Sequence, residues 1–151
     1  IYLAPYNYHR IHMAWAGRLQ EAWYVPGKLF SVNRTTADGV ANLFARNERI
    51  NCLFDGDGLH HALLLIGALN VGSMETVWHG EVAPRQQRVL TALSTADDRR
   101  AFTAARGEEM GRFNMGSTVI LLFPPGRIEW NPEFVSGRIV RMGETLGRRL
   151  P

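Results

Sequence analysis

The chain reads Ile50-Asn51-Cys52-Leu53-Phe54-Asp55-Gly56-Asp57-Gly58 near its middle, and a mostly apolar segment from Ala62 to Val71 follows. The residues from Ile50 to Phe54 are typical of a strand, because a short apolar segment bounded by turn residues favours extended backbone. Two Asp-Gly pairs predict a turn after it. The apolar run, broken by Gly67, predicts a buried strand. The segment as a whole therefore favours a β-rich fold.

Similar short apolar segments, separated by glycine and proline, lie on both sides of this stretch. They predict strands over Leu19 to Val25, Glu75 to Val82 and Val119 to Phe123, and Pro124-Pro125-Gly126 stops the last of these. A chain of many short strands is typical of a sandwich or barrel-like domain. We therefore predict a fold that is mainly β with minor α.

Three other segments are less typical of strands. Residues 37–46 predict a short helix, since Val40, Leu43 and Phe44 would share one side of it. Residues 84–106 are polar and rich in arginine, and they predict a surface insertion that is partly helical. The tail from residue 136 to residue 151 predicts irregular structure, because glycines interrupt its helical spacing.

Composition indicates one globular domain over residues 1–151, since 46% of the residues are hydrophobic and 21% are charged. The formal net charge of +3 comes without a dense basic block, which argues against a nucleic-acid partner and is compatible with an anionic membrane surface. The single cysteine, Cys52, excludes an intrachain disulfide and predicts a buried thiol. The longest apolar run, Ala62 to Leu69, is far shorter than the roughly 20 residues of a membrane helix, so any membrane contact is expected to be peripheral.

A Gly-Ser bond stands directly before the predicted strand at Val119, in Met115-Gly116-Ser117-Thr118. The Gly116 carbonyl is sterically open because glycine has no Cβ, so the Ser117 hydroxyl can attack it. The attack moves the acyl group from nitrogen to oxygen, and β-elimination of the resulting ester leaves dehydroalanine at position 117. Hydrolysis with loss of ammonia then gives an N-terminal pyruvoyl group. Such self-cleavage would produce a β chain, residues 1–116, and an α chain, residues 117–151.

A serine hydroxyl needs a base, and Tyr8-His9-Arg10-Ile11-His12-Met13 offers two histidines. His9 and His12 would share one face of a helical turn, whereas they would point in opposite directions along a strand. Pro5 and Asn7 favour the turn, which would direct both rings into one pocket. Most His-x-x-His pairs are ordinary surface or core histidines, so the spacing alone leaves that alternative open.

A metal site is not predicted. The chain has five histidines that could serve as ligands, but it has neither a His-Glu-x-x-His nor a Cys-x-x-Cys spacing. The adjacent pair His60 and His61 is a poor candidate, because neighbouring histidines rarely bind one metal ion.

Long collinear segments carry a family resemblance that runs from Tyr2 to about Pro125. The segments are Tyr8–Met13, Tyr24–Asn33, Leu43–Arg49, Gly67–Trp78 and Gly107–Thr118. Together they resemble phosphatidylserine decarboxylase of the bacterial proenzyme type. The resemblance implies a mainly β catalytic domain and a carboxy-lyase that converts phosphatidylserine to phosphatidylethanolamine with a covalent pyruvoyl cofactor.

The resemblance also implies a role for each candidate residue. Gly116 and Ser117 form the cleavage site, and Ser117 becomes the pyruvoyl group, whose ketone takes up the substrate amine and serves as an electron sink. His12 is the base for self-cleavage, and His9 lies beside the substrate and assists decarboxylation. The α and β chains remain associated on the cytoplasmic side of the cell membrane as a peripheral protein, and a homodimer is compatible with the resemblance.

The family orients its histidine base with an aspartate from a segment that precedes the matched region. No residue of this chain corresponds to that aspartate, so the resemblance implies a catalytic domain that is incomplete at its N-terminus. We therefore expect the 151-residue chain alone to stay largely uncut. The alternative from another functional class is a non-catalytic, unprocessed remnant that retains the fold and binds lipid or a partner.

Overall fold

A computed structural model describes residues 1–69, 73–82, 89–94, 102–114 and 117–151 of the chain. The described part is mainly β, as predicted, with two short helices. The elements in chain order are β1 Tyr2–Leu3, β2 Arg10–His12, β3 Gly17–Val25, α1 Arg34–Gly39, α2 Leu43–Arg46, β4 Arg49–Gly56, β5 Leu59–Ile66, β6 Met74–Thr76, β7 Gly80–Val82, β8 Thr91–Ser94, β9 Thr103–Ala104, β10 Glu109–Phe113, β11 Ser117–Leu122, β12 Ile128–Trp130 and β13 Gly147–Arg149.

The larger sheet is antiparallel and contains seven of the described strands, in the order β1-β11-β5-β4-β3-β8, with β9 also paired to β3. The strands predicted over Leu19 to Val25 and Ile50 to Phe54 are confirmed within β3 and β4. The strand predicted at Val119 is confirmed within β11, which lies between β1 and β5.

A two-residue turn joins β4 to β5. Asp57 and Gly58 both have positive φ, 52° and 68°, as a type I′ turn requires, and this turn matches the twist of the strands that it connects. The predicted turn was two residues too long, because Asp55 and Gly56 still pair with β5. The predicted buried strand ends at Ile66, and Asn70 and Val71 lie outside the described residues.

The smaller sheet contains four of the described strands, in the order β2-β10-β6-β7. The single strand predicted over Glu75 to Val82 is wrong. The chain turns at residues 77–79, and β6 and β7 then pair with each other as a hairpin.

One apolar core fills the space between the two sheets. From the larger sheet, Tyr24, Ile50, Leu65 and Val119 are cross-strand neighbours on the buried face. The smaller sheet contributes Ile11, Met74, Met110 and Phe113 to the same cluster. Full burial of each large apolar side chain stabilises the fold by roughly 1.5–3 kcal/mol. Two sheets facing one core confirm the sandwich prediction, and the described strands form no closed barrel.

The helix predicted over residues 37–46 is instead two helices. Asn33 caps the N-terminus of α1, because its side chain accepts a hydrogen bond from the Thr36 amide at 2.9 Å. Helix α1 ends at Gly39, and Val40 directly after it is extended. Asn42 adopts a left-handed φ of 56° before α2. The extended backbone at Val40 and the left-handed backbone at Asn42 therefore divide the segment that the apolar spacing predicted as one helix.

Residues 84–106 are described only in part. In the described part, β8 and β9 pair with β3 at one side of the larger sheet, so these residues are strand, and the prediction of partial helix stays a prediction for the rest of the segment. Residues 84–88 and 95–101 lie outside the described residues. The tail contains β13, which pairs with β12 as a separate two-stranded ribbon, and otherwise consists of turns and irregular structure, as predicted.

Candidate active site

Ser117 begins β11 and lies opposite Leu3 of β1. It is fully buried, and its Oγ has no hydrogen-bond partner among the residues that the structure describes. A buried hydroxyl without a partner is costly, since it has given up its hydrogen bonds to water. Gly116 and Met115 lie outside the described residues, so the geometry of the predicted cleavage bond is not defined.

The chain passes from one sheet to the other at two places near Ser117. Strand β10 of the smaller sheet ends at Phe113, and β11 of the larger sheet begins at Ser117; in the same way, the chain crosses from β1 to β2. The two crossings are held side by side, since the Phe113 amide donates to the His9 carbonyl at 3.0 Å and β1 pairs with β11. His9 and Ser117 therefore both lie at the seam between the sheets.

A compact turn holds the first crossing in place. The Asn7 amide donates to the Ala4 carbonyl, and the Asn7 side chain accepts a hydrogen bond from the Ala4 amide, each at 2.8 Å. His9 follows directly, and its Nδ1 lies 2.6 Å from the Asn7 carbonyl. The other ring nitrogen of His9, Nε2, is buried and has no partner in the described part of the chain.

His12 lies further along β2, opposite Glu109. Its Nε2 lies 2.7 Å from the Tyr8 hydroxyl, and its Nδ1 lies 2.7 Å from the Gly107 carbonyl. The Tyr8 and His12 rings are also stacked, with centroids 5.7 Å apart. Both nitrogens of His12 are therefore hydrogen-bonded, in contrast to those of His9.

The prediction that His9 and His12 share a helical turn is wrong. The turn is limited to residues 5–7, and residues 10–12 are a strand because they pair with β10. Three residues of extended chain span about 10 Å, so the two rings occupy different places along the seam. Their roles in catalysis stay predictions.

The aspartates of the described chain make contacts elsewhere. Asp38 lies 3.7 Å from Arg34 on α1, and Asp55 lies 3.3 Å from the ring of His60. Asp57 occupies the β4–β5 turn. None of these contacts involves His12, whose Nδ1 faces a backbone carbonyl in the position where a serine hydrolase has a carboxylate.

Tyr8 and Gly107 were not singled out from the sequence as site residues. Tyr8 lies four residues from His12, and Gly107 begins the segment that leads to Ser117, but the two are far apart in sequence. Only the pairing of β2 with β10 brings the Gly107 carbonyl to His12. No local sequence signal could have revealed that contact.

The described residues contain no group of three or more His, Cys, Asp or Glu side chains that could hold a metal ion. No helix in the described part of the chain has the length and apolar character needed to cross a bilayer. Cys52 is buried and unpaired, as predicted, and burial raises the pKa of its thiol.

Comparison with known proteins agrees with the resemblance seen in the motifs. A profile of the family described as phosphatidylserine decarboxylase matches residues 1–148. A phosphatidylserine decarboxylase proenzyme of Marinobacter nauticus is 52% identical over 148 residues, which cover 98% of this chain and 51% of the relative. The proenzyme of Ectopseudomonas mendocina is 50% identical over 147 residues (97% and 51%), and that of Nitrosococcus oceani is 50% identical over 148 residues (98% and 48%). The chain thus spans about half the length of these relatives, and it belongs to the phosphatidylserine decarboxylase family.

Proposed function

We propose that this chain carries the self-cleaving, pyruvoyl-forming part of a phosphatidylserine decarboxylase. The observation that carries the proposal is Ser117, which begins an interior strand with a fully buried Oγ that has no partner among the described residues. Such a hydroxyl is kept away from water, which would otherwise compete with it for the Gly116 carbonyl. Membership of the family supports the same reading.

Self-cleavage begins when Ser117 Oγ attacks the Gly116 carbonyl carbon and gives up its proton to a base. The bond from that carbon to the Ser117 nitrogen breaks, which leaves an ester and a free amine. Loss of the Ser117 α-proton and cleavage of the Cβ–O bond then release the Gly116 carboxylate. The remaining alkene rearranges to an imine, takes up water and loses ammonia. The products are residues 1–116 and residues 117–151.

We propose that His12 accepts the proton of Ser117 during self-cleavage and that His9 later assists decarboxylation, as the family resemblance implies. The contacts of the two rings support different roles. Both direct Nδ1 at a carbonyl, but Nε2 of His12 faces a hydroxyl, whereas Nε2 of His9 is buried and unpaired within the described residues. An unpaired buried nitrogen is suited to a group that arrives with the substrate.

The surroundings of position 117 fit a pyruvoyl group. A ketone has no O–H group that would be left without an acceptor. It therefore suits a buried site in which the serine hydroxyl lacks a partner among the described residues. Pairing of Leu3 with residue 117 would hold the group, and Thr118, which is also buried, would follow it in the strand. The bound group supplies an electron sink for loss of carbon dioxide from an amino acid headgroup.

We propose that the chain contacts the membrane surface from one side, because its substrate would be a lipid. Three tyrosines near the seam support this placement. Tyr2, Tyr6 and Tyr8 have exposed fractions of 47%, 88% and 52%. Tyrosine is favoured at the boundary between water and lipid, where its ring is partly buried and its hydroxyl stays hydrated.

Three variants of the complete protein test the proposal. Ser117→Ala removes the attacking hydroxyl and should leave one uncut polypeptide by intact mass. His12→Ala should also stay uncut for lack of a base, whereas His9→Ala should be cut but decarboxylate phosphatidylserine poorly. Activity would be measured as release of carbon dioxide from carboxyl-labelled phosphatidylserine in detergent micelles.

The outcomes separate the two halves of the proposal. Cleavage of Ser117→Ala at the same bond would mean that an external protease cuts the chain, and the pyruvoyl proposal would fail. Normal cutting and normal activity in both histidine variants would overturn the assigned roles. A single uncut species in the unaltered complete protein would favour the non-catalytic alternative.

A further inference from the structure

We propose that Glu48 is a substrate-binding residue, whose buried carboxylate binds the ammonium of an amino acid headgroup at position 117 and accepts one proton from it. The amine that remains is uncharged, which is the form that can add to a ketone. This inference rests on the proposed function, because that function places the ketone at residue 117. It adds the group that recognises the amine of the substrate.

Glu48 lies in the same row of the larger sheet as Ser117. The Gly67 amide donates to the Glu48 carbonyl at 2.9 Å, as the register of β4 with β5 requires for opposed residues. The register of β5 with β11 pairs Ile66 with Thr118, and one step further it brings Gly67 opposite Ser117. Opposed residues of an antiparallel sheet direct their side chains to the same face. Glu48, Gly67 and Ser117 therefore form one row on one face of the sheet.

The middle position of this row has no side chain, and the side chain of Glu48 lies over it. A Cβ at Gly67 would be 3.0 Å from Cγ of Glu48 and 3.1 Å from its Oε1. The side chain of Glu48 thus leans along the row toward Ser117. Since the Cβ atoms of opposed residues are about 4.5–5.5 Å apart, Oε1 lies within about 9 Å of the Ser117 Cβ. A group that reaches residue 117 on this face therefore comes close to the carboxylate.

The backbone around Glu48 is held on both sides. The Glu48 amide donates to the Lys28 carbonyl at 2.9 Å. The neighbouring Asn47 side chain is fully buried and donates to the Phe30 and Gly67 carbonyls at 2.8 Å and 2.9 Å. The carboxylate is thus attached to a rigid part of the sheet, as is needed for a residue that orients a ligand.

The burial of Glu48 favours a cationic partner. The residue is 4% exposed, and the Tyr24 hydroxyl donates to its Oε2 at 3.2 Å. Burial and the charge of Glu48 raise the pKa of Tyr24, so this hydroxyl keeps its proton and stays a donor. A carboxylate away from water attracts an ammonium strongly, because its surroundings screen the charge only weakly. The carboxylate of the headgroup is repelled instead, so it is directed away from Glu48.

The test measures how fast two amines are captured at residue 117 of the complete, cut protein. The first is phosphatidylethanolamine in detergent micelles, whose amine is an ammonium at neutral pH. Sodium cyanoborohydride reduces the carbon–nitrogen double bond that this amine forms, so the lipid stays attached. The second is methoxyamine, whose amine is uncharged at neutral pH and needs no proton acceptor. Mass spectrometry of the short chain quantifies both adducts.

Glu48→Gln keeps the size of the side chain and an acceptor for Tyr24, but it removes the charge. It should be cut normally and should capture methoxyamine at the wild-type rate. Its capture of phosphatidylethanolamine should be roughly 10- to 100-fold slower, as expected for the loss of a hydrogen bond between charged groups. Glu48→Asp keeps the charge and should retain more of this rate.

Glu129→Gln is the matched control, because it removes one carboxylate from the separate ribbon of β12 and β13, where the side chain is 51% exposed. It should leave both capture rates unchanged. Gly67→Ala is a second variant, in which Glu48 itself is unaltered. Its Cβ would be closer to Glu48 than side-chain atoms normally pack, so the carboxylate has to shift. Gly67→Ala should slow capture of phosphatidylethanolamine and should still capture methoxyamine.

Wild-type capture of phosphatidylethanolamine by Glu48→Gln would overturn the proposal, and so would equal slowing of both amines. An uncut Glu48→Gln chain would also overturn it, because Glu48 would then act before any substrate binds. If Glu48→Gln does not fold, wild-type rates for both amines in Gly67→Ala decide against the proposal. All these outcomes leave the proposed function intact. That function is refuted, together with this inference, if the unaltered protein does not capture methoxyamine.

Discussion

At the scale of single residues, the buried imidazole of His61 contrasts with the two seam histidines. It is 4% exposed and lies between Phe54 and Phe123, with ring centroids 5.5 Å and 5.6 Å away and nearly parallel planes. Burial lowers the pKa of His61, and this effect outweighs the opposite influence of the Leu59 and Trp15 carbonyls and of Asp55. The ring is therefore neutral in the folded protein over a wider pH range than in the unfolded chain.

This difference in pKa predicts a pH-dependent loss of stability. Below about pH 6.5 the unfolded chain binds a proton at His61 that the folded chain still refuses, so the free energy of unfolding falls as the pH falls from that value to the lower folded pKa. His61→Phe keeps an aromatic ring between Phe54 and Phe123 and removes the titration, so its stability should depend less on pH.

The measurement is urea unfolding at pH 5.5 and pH 7.5. His60→Gln is the control, because His60 neighbours His61 in β5 but is exposed. It should retain most of the wild-type pH dependence. A slope for His61→Phe equal to that of the wild type would show that His61 does not titrate differently on folding.

At the scale of elements, the hairpin of β4 and β5 depends on a left-handed glycine. Gly58 has a φ of 68°, and a Cβ there would meet no other atom within 4 Å, so only backbone conformation opposes a side chain. Gly58→Ala should destabilise the protein by about 1 kcal/mol. The measurement is again the free energy of unfolding in urea.

Gly39 provides the matched comparison. A Cβ at Gly39 would also meet no neighbour, but Gly39 lies in α1 and has a negative φ. Gly39→Ala should therefore stabilise the protein by about 0.4–1 kcal/mol, since alanine restricts the unfolded chain without strain in the folded one. Equal effects of the two substitutions would contradict the role given to the turn.

The same scale shows what the sequence could and could not predict. Strands β3, β4 and β11 were predicted because their signal is local: a short apolar run that ends at glycine or proline. The break at Asn42 was missed, because the apolar spacing does not encode its left-handed φ of 56°, a conformation that asparagine adopts more readily than most residues. Asn47 was likewise missed: a polar residue that is fully buried because its side chain bonds the Phe30 backbone and the Gly67 carbonyl.

The candidate site likewise contains residues that the sequence predicted and contacts that it did not. Local motifs singled out His9, His12 and Ser117, and the structure places His9 and Ser117 at one seam. The contact of His12 with the Gly107 carbonyl depends on strand pairing between segments 95 residues apart, which a motif does not encode. The roles of all three residues stay predictions until the variants are measured.

At the scale of the whole molecule, the position of β11 bears on what happens after the proposed cut. The strand pairs with β5 over five positions, from Thr118 opposite Ile66 to Leu122 opposite Ala62, and with β1 on its other side. Val119 is 7% exposed and belongs to the shared core. Beyond the strand, Phe123 stacks on His61, and Arg149 lies over the Trp15 ring. Residues 117–151 are therefore built into the fold of residues 1–116.

We predict that the two chains stay together after cleavage. Because β11 lies inside the sheet, its release would leave β1 without its partner strand, would unpair one side of β5 and would open the core to water, so cutting one peptide bond should not separate the products. The cut protein should elute as one species in size-exclusion chromatography and should show two bands on a denaturing gel, with uncut Ser117→Ala as the reference.

Val119→Ala should lower the urea concentration that releases the short chain, because it leaves a cavity in the core. Leu122→Ala, at a position of the same strand that is 51% exposed, should leave that concentration nearly unchanged. Elution of residues 117–151 as a separate species without denaturant would mean that the strand pairing of the uncut chain does not survive the cut.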